Sequence, residues 1–596
     1  MLHLVLILLV GSAVYYNSFT VPFILDDHYS IDYYGKKDLV EHMLHGSSRR
    51  VADITFALNY RIHGLHVSGY HIANLAIHIS SAILLYFVMV SAISALRVSF
   101  SVKGRTSEDA GLLEAIIPLA AALLFVSHPI QTQAVTYIIQ RYTSLATFFY
   151  LLSALAFLRA RLAVEQGAPS WKPWLLMGGT VVGGLLAIGS KQIAVTLPLM
   201  LFCLEIFLFR GRLINRRFYM TLGGVAVIVL AIVLFKWHGS SLDDFLFDLR
   251  HATAENLYAS RTTYFLTQTR VVATYLGLLC LPIGQSLVHD SPVYKSIFAV
   301  PVIASLALHF FLMATAAILF RMSGRNLLTG ELLRGVFQRL ASLGIIWFYV
   351  AMAIESSIFP IIDMIFEHRI YLPSVGFFMT MASFAALVFQ ERRNGVKELS
   401  IMLAVVCIIL GGMTIARNRV WNDALTLWQD AASKAPNKWL AQANLANQYL
   451  SRNMPLKALP LFIRAIELNP GLFHLTKVNI GETLKALNIF ESRFTTGMEY
   501  ISPGGPFGSG TLDYRNIAKW EGVISNNLGL SYEFLQQPEK AMNSYKLAVT
   551  INPEYDLAWY NMALLASRLG DTSLADEATG KLRVINPALA GHLPSR

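Results

Sequence analysis

The amino-acid sequence predicts an all-α protein, built as a polytopic membrane helix bundle followed by a solenoid of helix pairs. Of its 596 residues, 55% are hydrophobic and only 14% are charged, whereas soluble domains carry about 25% charged residues. Long apolar runs alternate with short polar connectors over residues 1–417. Over residues 418–596 the apolar residues are instead spaced for amphipathic helices. We therefore expect two domains, residues 1–417 and 418–596.

The apolar runs are long enough to cross a bilayer, which takes about 20 apolar residues. The first run lacks the basic segment and cleavage site of a secretory signal, so we expect it to be an uncleaved first span. In all we expect about eleven crossings, at residues 2–19, 69–96, 113–127, 143–162, 173–189, 193–209, 218–236, 298–320, 340–359, 370–389 and 399–416.

The charges of the connectors predict the topology. Basic connectors follow every second span, and the positive-inside rule places them in the cytoplasm; they lie at residues 97–105, 159–172, 210–217, 321–339 and 392–397. The other connectors and residues 418–596 are then on the outer side of the membrane. The run 266–282 breaks this alternation if it crosses fully, so we predict that it is re-entrant or lies along the interface. These connectors account for most of the net charge of +11, which therefore does not indicate nucleic acid.

Prolines mark a repeat after residue 418. Pro436 and Pro470 are 34 residues apart, as are Pro553 and Pro587. This period is typical of tetratricopeptide repeats, in which each unit is a helix pair. The longer middle interval indicates an inserted loop, which we place at residues 501–510. Such stacks bind proteins or peptides on a concave face; a purely structural cap is the alternative.

The outer connectors concentrate the polar chemistry of the chain. Transporters bury ionisable groups near the midplane of their spans, whereas here the spans hold few, Glu205 being the clearest. We therefore favour chemistry at the outer membrane surface. The groups on that side are Asp26, Asp27, His28, His128, Gln131, Gln133, Arg141, Lys191, Arg261, Arg270, His289, Asp290, Glu355, Glu367, His368 and Arg369.

The acid pair Asp26 and Asp27 follows the first span, where it either marks the end of a helix or carries chemistry. A carboxylate there can act as general base toward a hydroxyl. Neighbouring side chains point in different directions, so one acid can face the acceptor while the other binds backbone, a metal or a cation. Arginine and lysine at the same surface can hold a phosphate. Together these groups indicate transfer from a phosphate-linked donor.

His71, Asn74 and His78 share one face of the second predicted span. They could be zinc ligands, but no acidic or cysteine partner is evident from the spacing. We favour hydrogen bonds between helices.

At several motifs the chain resembles the GT-C superfamily of polytopic glycosyltransferases, and within it the transmembrane and tetratricopeptide-repeat O-mannosyltransferases and their bacterial relatives. The resemblance covers almost the whole chain in order. In two places this chain departs from the family pattern: Gln192 replaces the usual Glu, and His368 takes an Arg position with Arg369 following. The matching segments are residues 23–27, 70–78, 125–141, 190–192 and 355–376.

The resemblance implies inverting transfer of one sugar from a polyprenyl-phosphate donor to a hydroxyl acceptor, with a first-loop Asp as base and the repeats on the same side. Asp27 is the first choice for the base, and Asp26 is the reserve or a metal ligand. A divalent metal such as Mg²⁺ or Mn²⁺ is left open. The candidates for binding the donor phosphate are Arg369, Lys191, Arg141 and Arg270. Other candidates for the active site are His128, Glu355, Glu367, His368, His289 and Asp290.

The main hypothesis is a membrane glycosyltransferase that modifies protein Ser or Thr, with the repeats binding the acceptor protein. The altered motifs and short repeat array suggest the bacterial branch, and hence an undecaprenyl-phosphate sugar. One alternative is transfer to a glycan or lipid. Another is a membrane-anchored repeat scaffold without enzymatic activity.

Overall fold

A computed structural model describes residues 1–27, 30–31, 49–100, 108–169, 171–209, 260–356, 364–468 and 514–594. Within these ranges the regular structure is entirely helical, which confirms the predicted all-α class. His28, the predicted span 218–236 and the predicted loop 501–510 lie outside the described residues. The chain divides into two compact units, one of Met1–Leu287 with Ser291–Leu427 and one of Val288–Asp290 with Trp428–Arg596.

The first unit contains twelve longer helices among the described residues. They are α1 (Leu2–Tyr15), α2 (Arg50–His63), α3 (Val67–Ser99), α4 (Glu108–Ser127), α5 (Arg141–Glu165), α6 (Trp171–Ile188), α7 (Leu197–Leu208), α8 (Arg261–Cys280), α9 (Val300–Thr329), α10 (Leu332–Met352), α11 (Tyr371–Phe389) and α12 (Gly395–Trp421). Short helical turns precede several of them, at Pro129–Gln131, Thr132–Val135, Ile138–Gln140, Gln192–Thr196 and Glu367–Ile370.

Many of these helices are suited to a bilayer. Seven are long and apolar enough to cross a membrane, and an eighth span is formed if Gly111–Ser127 and Pro129–Val135, bent by 52°, count as one. Leu2–Ser18 and Gln192–Leu208 are shorter apolar helices. The chain is thus an integral membrane protein. The run 266–282 forms most of α8, a continuous helix of 20 residues; its re-entrant or interfacial position stays a prediction.

The packing of α10 against α11 fixes the part of the bundle that matters for the site. Gly344 and Gly376 let the two backbones approach so closely that a Cβ on either would overlap main-chain atoms of the other helix. Small residues allow such approach between membrane helices. Because Glu355 follows α10 and Arg369 precedes α11, this contact brings two distant sequence segments to one end of the helix pair.

The second unit contains helix pairs of the repeat type. Its helices are α13 (Ala424–Lys434, which begins in the first unit), α14 (Trp439–Ser451), α15 (Pro455–Leu468), α16 (Tyr514–Phe534), α17 (Pro538–Ile551), α18 (Asp556–Leu569) and α19 (Thr572–Ile585). The second helices of the last two pairs, α17 and α19, start 34 residues apart (572 − 538). Each pair buries alanine and aromatic residues, such as Ala541 with Tyr545 and Ala563 with Trp559, because isolated pairs cannot bury their apolar faces alone.

Candidate functional site

Three charged side chains from separate parts of the sequence meet in the first unit. We call Lys191, Glu355 and Arg369 the Lys191 cluster. Lys191 Nζ lies 3.2 Å from Glu355 Oε1, and Arg369 Nε lies 4.0 Å from the same oxygen. Lys191 follows α6, Glu355 follows α10, and Arg369 lies in the helical turn before α11. Their side chains are only 5–10% exposed, so a buried carboxylate here serves two cations.

The cluster carries more positive than negative charge. Burial lowers the pKa of Lys191, Glu355 opposes that change, and the nearby positive charges of Arg49 and Arg369 lower the pKa further. The backbone N–H of Val51 donates to the carbonyl oxygen of Gly189 over 3.0 Å, and so joins the start of α2 to the Lys191 segment. Lys191, Glu355 and Arg369 together carry a net positive charge, and in a poorly solvated place such a charge attracts an anion more strongly than it would in water.

The segment 364–370 is held from several sides. Tyr275 Oη donates to the carbonyl oxygen of Phe366 over 3.0 Å, and the backbone N–H of His368 donates to Gln133 Oε1 over 2.7 Å. Glu367 Oε1 accepts from the backbone N–H of Ser286 over 2.7 Å. Gln133 and Glu367 are therefore positioning residues, and they fix the backbone from which Arg369 extends.

The acid pair is divided between surface and interior. Asp27 is buried, and its carboxylate accepts from the backbone N–H of Ile24 (3.0 Å) and of Ile139 (2.7 Å). Burial raises the pKa of Asp27 to about 8; the two N–H groups oppose this, while Asp26 adds to it and Arg141 opposes it. Asp26 is exposed, and its Oδ2 accepts from Tyr137 Oη over 3.3 Å. Asp27 thus binds backbone, and Asp26 is open to a ligand.

The acid pair and the Lys191 cluster contact the same short stretch of chain. Ile139 binds Asp27, while Thr143 Oγ1 accepts from Lys191 Nζ over 2.9 Å. Four residues of helix rise by roughly 6 Å. The two groups therefore attach to α5 and its leading turn about one helical turn apart.

Two of the predicted phosphate-binding residues bind groups other than those of the Lys191 cluster. Arg141 is buried, and its guanidinium donates to Asn74 Oδ1 (2.6 Å), Asn59 Oδ1 (2.7 Å) and the carbonyl oxygen of Tyr70 (3.1 Å). Arg270 donates to Thr274 Oγ1 on its own helix over 3.1 Å. The structure shows neither of them in contact with the Lys191 cluster.

The other active-site candidates fall into two groups, one in or beside the Lys191 cluster and one elsewhere. His128 caps the turn that follows it, because its Nδ1 accepts from the backbone N–H of Ile130 over 3.1 Å, and its Nε2 lies 3.1 Å from the carbonyl oxygen of Leu279. His289 and Asp290 fall in the second unit. His368 is buried next to Arg369. Of the candidates, Glu355, Glu367 and His368 are therefore the ones that lie in or beside the Lys191 cluster.

Several polar residues within the spans bind groups from other segments of the first unit. His71 Nε2 lies 2.9 Å from the carbonyl oxygen of Val21, and His78 Nδ1 lies 2.7 Å from Tyr371 Oη. The contact of His78 with Tyr371 agrees with hydrogen bonding between helices. Glu205 binds Arg161 through both carboxylate oxygens, over 2.7 and 2.8 Å. In the described part of the chain no three His, Cys, Asp or Glu side chains group as metal ligands.

Three residues at or beside the site were missed in the sequence analysis. Thr143 and Tyr137 are uncharged and lie at the start of a span, where hydroxyl residues are common. Tyr137 could have been found from its place in the motif around His128 and Arg141. Gln268 was also missed, although a glutamine within the apolar run 266–282 is unusual enough to be a signal.

Comparisons with known proteins extend along most of the chain. A tetratricopeptide-repeat family model matches residues 524–555. Protein O-mannosyl-transferase TMTC3 of Mus musculus is 23% identical over 96% of this chain and 62% of its own length. Protein O-mannosyl-transferase TMTC4 of Homo sapiens is 25% identical over 69% of this chain and 56% of its own length. Protein O-mannosyl-transferase Tmtc3 of Drosophila melanogaster is 31% identical over 24% of this chain and 15% of its own length.

The chain spans less than two thirds of the length of these relatives. The aligned part nevertheless includes both the membrane spans and the repeats of this chain in the longest of these matches. These findings confirm that the chain resembles the transmembrane and tetratricopeptide-repeat O-mannosyltransferases along nearly its whole length.

Proposed function

We propose that the protein is a membrane glycosyltransferase that moves a sugar from a polyprenyl-phosphate donor to a hydroxyl of an acceptor protein. The observation that carries this proposal is the convergence of Lys191, Glu355 and Arg369. Relatives over most of the chain are named protein O-mannosyl-transferases, which supports a protein hydroxyl as the acceptor.

In the proposed reaction a carboxylate takes the proton of the acceptor hydroxyl as its oxygen bonds to C1 of the sugar. The C1–O bond to the phosphate breaks, and polyprenyl phosphate leaves with the electron pair. Attack opposite the leaving group inverts the configuration at C1. The Lys191 cluster stabilises the phosphate charge that develops, which is the kind of electrostatic contribution that mutagenesis commonly finds large.

The geometry favours Asp26 as the base, the reverse of the sequence-based preference for Asp27. A general base must come within hydrogen-bond reach of the proton it takes. Asp26 is exposed, whereas both oxygens of Asp27 accept from backbone N–H groups. In this scheme Asp27 is a positioning residue that ties the loop after α1 to the turn before α5.

The repeats bind the acceptor protein in this proposal, and raise its effective concentration near the site. The active site and repeats then share the periplasmic side of a bacterial inner membrane, as the positive-inside pattern of the connectors supports. A scaffold without catalysis would make the Lys191 cluster and the exposed Asp26 irrelevant to function.

The test is transfer in membranes supplied with undecaprenyl-phosphate sugars, comparing wild type with the matched variants Asp26→Asn and Asp27→Asn. We expect Asp26→Asn to fold normally and to lose at least 100-fold in rate, within the range of about 10²–10⁴ for general-base catalysis. Asp27→Asn replaces a positioning residue and should reduce transfer less than Asp26→Asn. Wild-type transfer by Asp26→Asn would remove Asp26 as the base, and transfer by neither wild type nor variants would favour the scaffold.

A further inference from the structure

Two buried polar atoms beside the Lys191 cluster have no hydrogen-bond partner among the residues that the structure describes. They are Oε1 of Gln268 and Nδ1 of His368. The two residues are 1% and 8% exposed. An unsatisfied buried polar group destabilises a protein, so each such group in a native structure calls for an explanation.

Gln268 lies next to Arg369 of the Lys191 cluster. Its Nε2 donates to the carbonyl oxygen of Met364 over 2.9 Å, and Arg369 Nη1 lies 3.4 Å from the same oxygen. One turn earlier on α8, Tyr264 Oη donates to the carbonyl oxygen of Glu355 over 2.9 Å. Helix α8 therefore lies against the cluster over two turns, and Gln268 and Arg369 both contact the carbonyl oxygen of Met364.

His368 is fixed in the same place by its own contacts. Its backbone N–H is held by Gln133, and its ring stacks on Phe366 with centroids 5.2 Å apart and planes inclined by 25°. Its charged neighbours are Lys191, Arg369 and Arg49. A fixed ring with one unpartnered nitrogen next to the phosphate candidates is available to a bound ligand.

The chemistry of these atoms indicates what the ligand carries. The side-chain oxygen of glutamine only accepts hydrogen bonds, so it cannot pair with an ionised phosphate oxygen, but it can accept from a hydroxyl. An imidazole nitrogen pairs with a hydroxyl in either tautomer. Cations beside neutral acceptors suit an anion that is joined directly to a polyhydroxyl group.

We infer that Gln268 and His368 form the sugar-binding part of the donor site, and that they contact hydroxyls of the transferred sugar while the Lys191 cluster binds its phosphate. This inference rests on the proposed function. It gives the run 266–282 a role in substrate selection and assigns recognition of the sugar to neutral groups.

Binding of two probes separates the sugar from the phosphate. The full chain in nanodiscs is titrated with undecaprenyl phosphate and with its mannose, glucose and galactose derivatives, and the tightest derivative is kept. Gln268→Met and His368→Phe should weaken binding of that derivative about tenfold, which corresponds to about 1.4 kcal/mol, and leave bare undecaprenyl phosphate unchanged. Arg369→Gln should weaken both lipids.

Controls keep the outcome clear. His368→Asn retains a polar atom near the position of Nδ1 and should recover part of the lost affinity. Thermal midpoints identify any variant that fails to fold. The sugar contacts are tested by the Gln268 and His368 variants, and the phosphate contact is tested by Arg369→Gln. Equal loss for both lipids, or equal affinity of the wild type for all of them, would overturn the sugar site while leaving the phosphate role intact. No binding of either lipid by the wild type would refute the proposed function and the sugar site with it.

Discussion

Glu355 is the residue whose removal tests the architecture of the site most sharply. Its Oε1 lies 3.2 Å from Lys191 Nζ and 4.0 Å from Arg369 Nε, with all three side chains at most 10% exposed. Glu355→Gln removes the carboxylate charge that Lys191 and Arg369 share. Breaking a buried ion pair by removing one partner costs about 3–5 kcal/mol. In the variant Lys191 keeps its hydrogen bond to Thr143 and Arg369 keeps its contact with the carbonyl oxygen of Met364. We therefore expect a loss of stability at the lower end of this range, about 3 kcal/mol.

The assay is the thermal midpoint of the full chain in detergent, followed by tryptophan fluorescence at a fixed scan rate. At about 2 °C per kcal/mol for a large unit, the expected decrease is about 6 °C. The matched control is Glu398→Gln, because Glu398 forms an ion pair with Arg392 at a similar 2.9 Å but with side chains 42% and 55% exposed. Exposed pairs contribute at most about 1 kcal/mol. Equal small shifts for both variants would refute the buried cluster.

Two further predictions concern packing and ionisation. Gly376→Ala should destabilise the protein by about 1–3 kcal/mol, because its Cβ would overlap main-chain atoms of α10. The control is Gly412→Ala, whose Cβ would enter open space, and this variant should be neutral or slightly stabilising. Equal thermal midpoints for the two variants would contradict the close packing of α10 and α11. The pKa of Asp27 is raised from 3.8 to about 8, so the native state holds this proton when the unfolded state has lost it. Relative to Asp27→Asn, wild-type stability should therefore fall by about 1.4 kcal/mol per pH unit between about pH 4 and pH 8 and level off above; parallel stability curves of the two proteins would contradict this pKa.

The all-α class and the repeat unit were predictable because they depend on local patterns. Apolar runs of membrane length and prolines 34 residues apart can be recognised in the sequence without knowledge of the tertiary packing. The number of spans was less certain, since α1 and α7 are short and α8 combines a helix of 20 residues with an arginine in its interior. Hydropathy alone does not decide how such a helix lies relative to a bilayer.

The site was only partly predictable, for physical reasons. Lys191, Glu355 and Arg369 were recognisable because they are charged residues of the outer connectors and lie in segments 190–192 and 355–376, which resemble family motifs. The role of Arg141 was not, because an arginine that begins a span looks the same in sequence whether it binds phosphate or Asn59 and Asn74. The difference between Asp26 and Asp27 depends on the local turn and on the distant Ile139, which sequence spacing does not reveal.

The central claim is that a lipid-phosphate sugar is transferred to protein hydroxyls. Mass spectrometry of envelope proteins from cells with the wild-type protein, with Arg369→Gln and without the protein measures this directly. The account predicts one defined sugar mass on specific Ser or Thr peptides with the wild type, and its loss in the other two. Identical protein masses in all three, or full modification with Arg369→Gln, would contradict it.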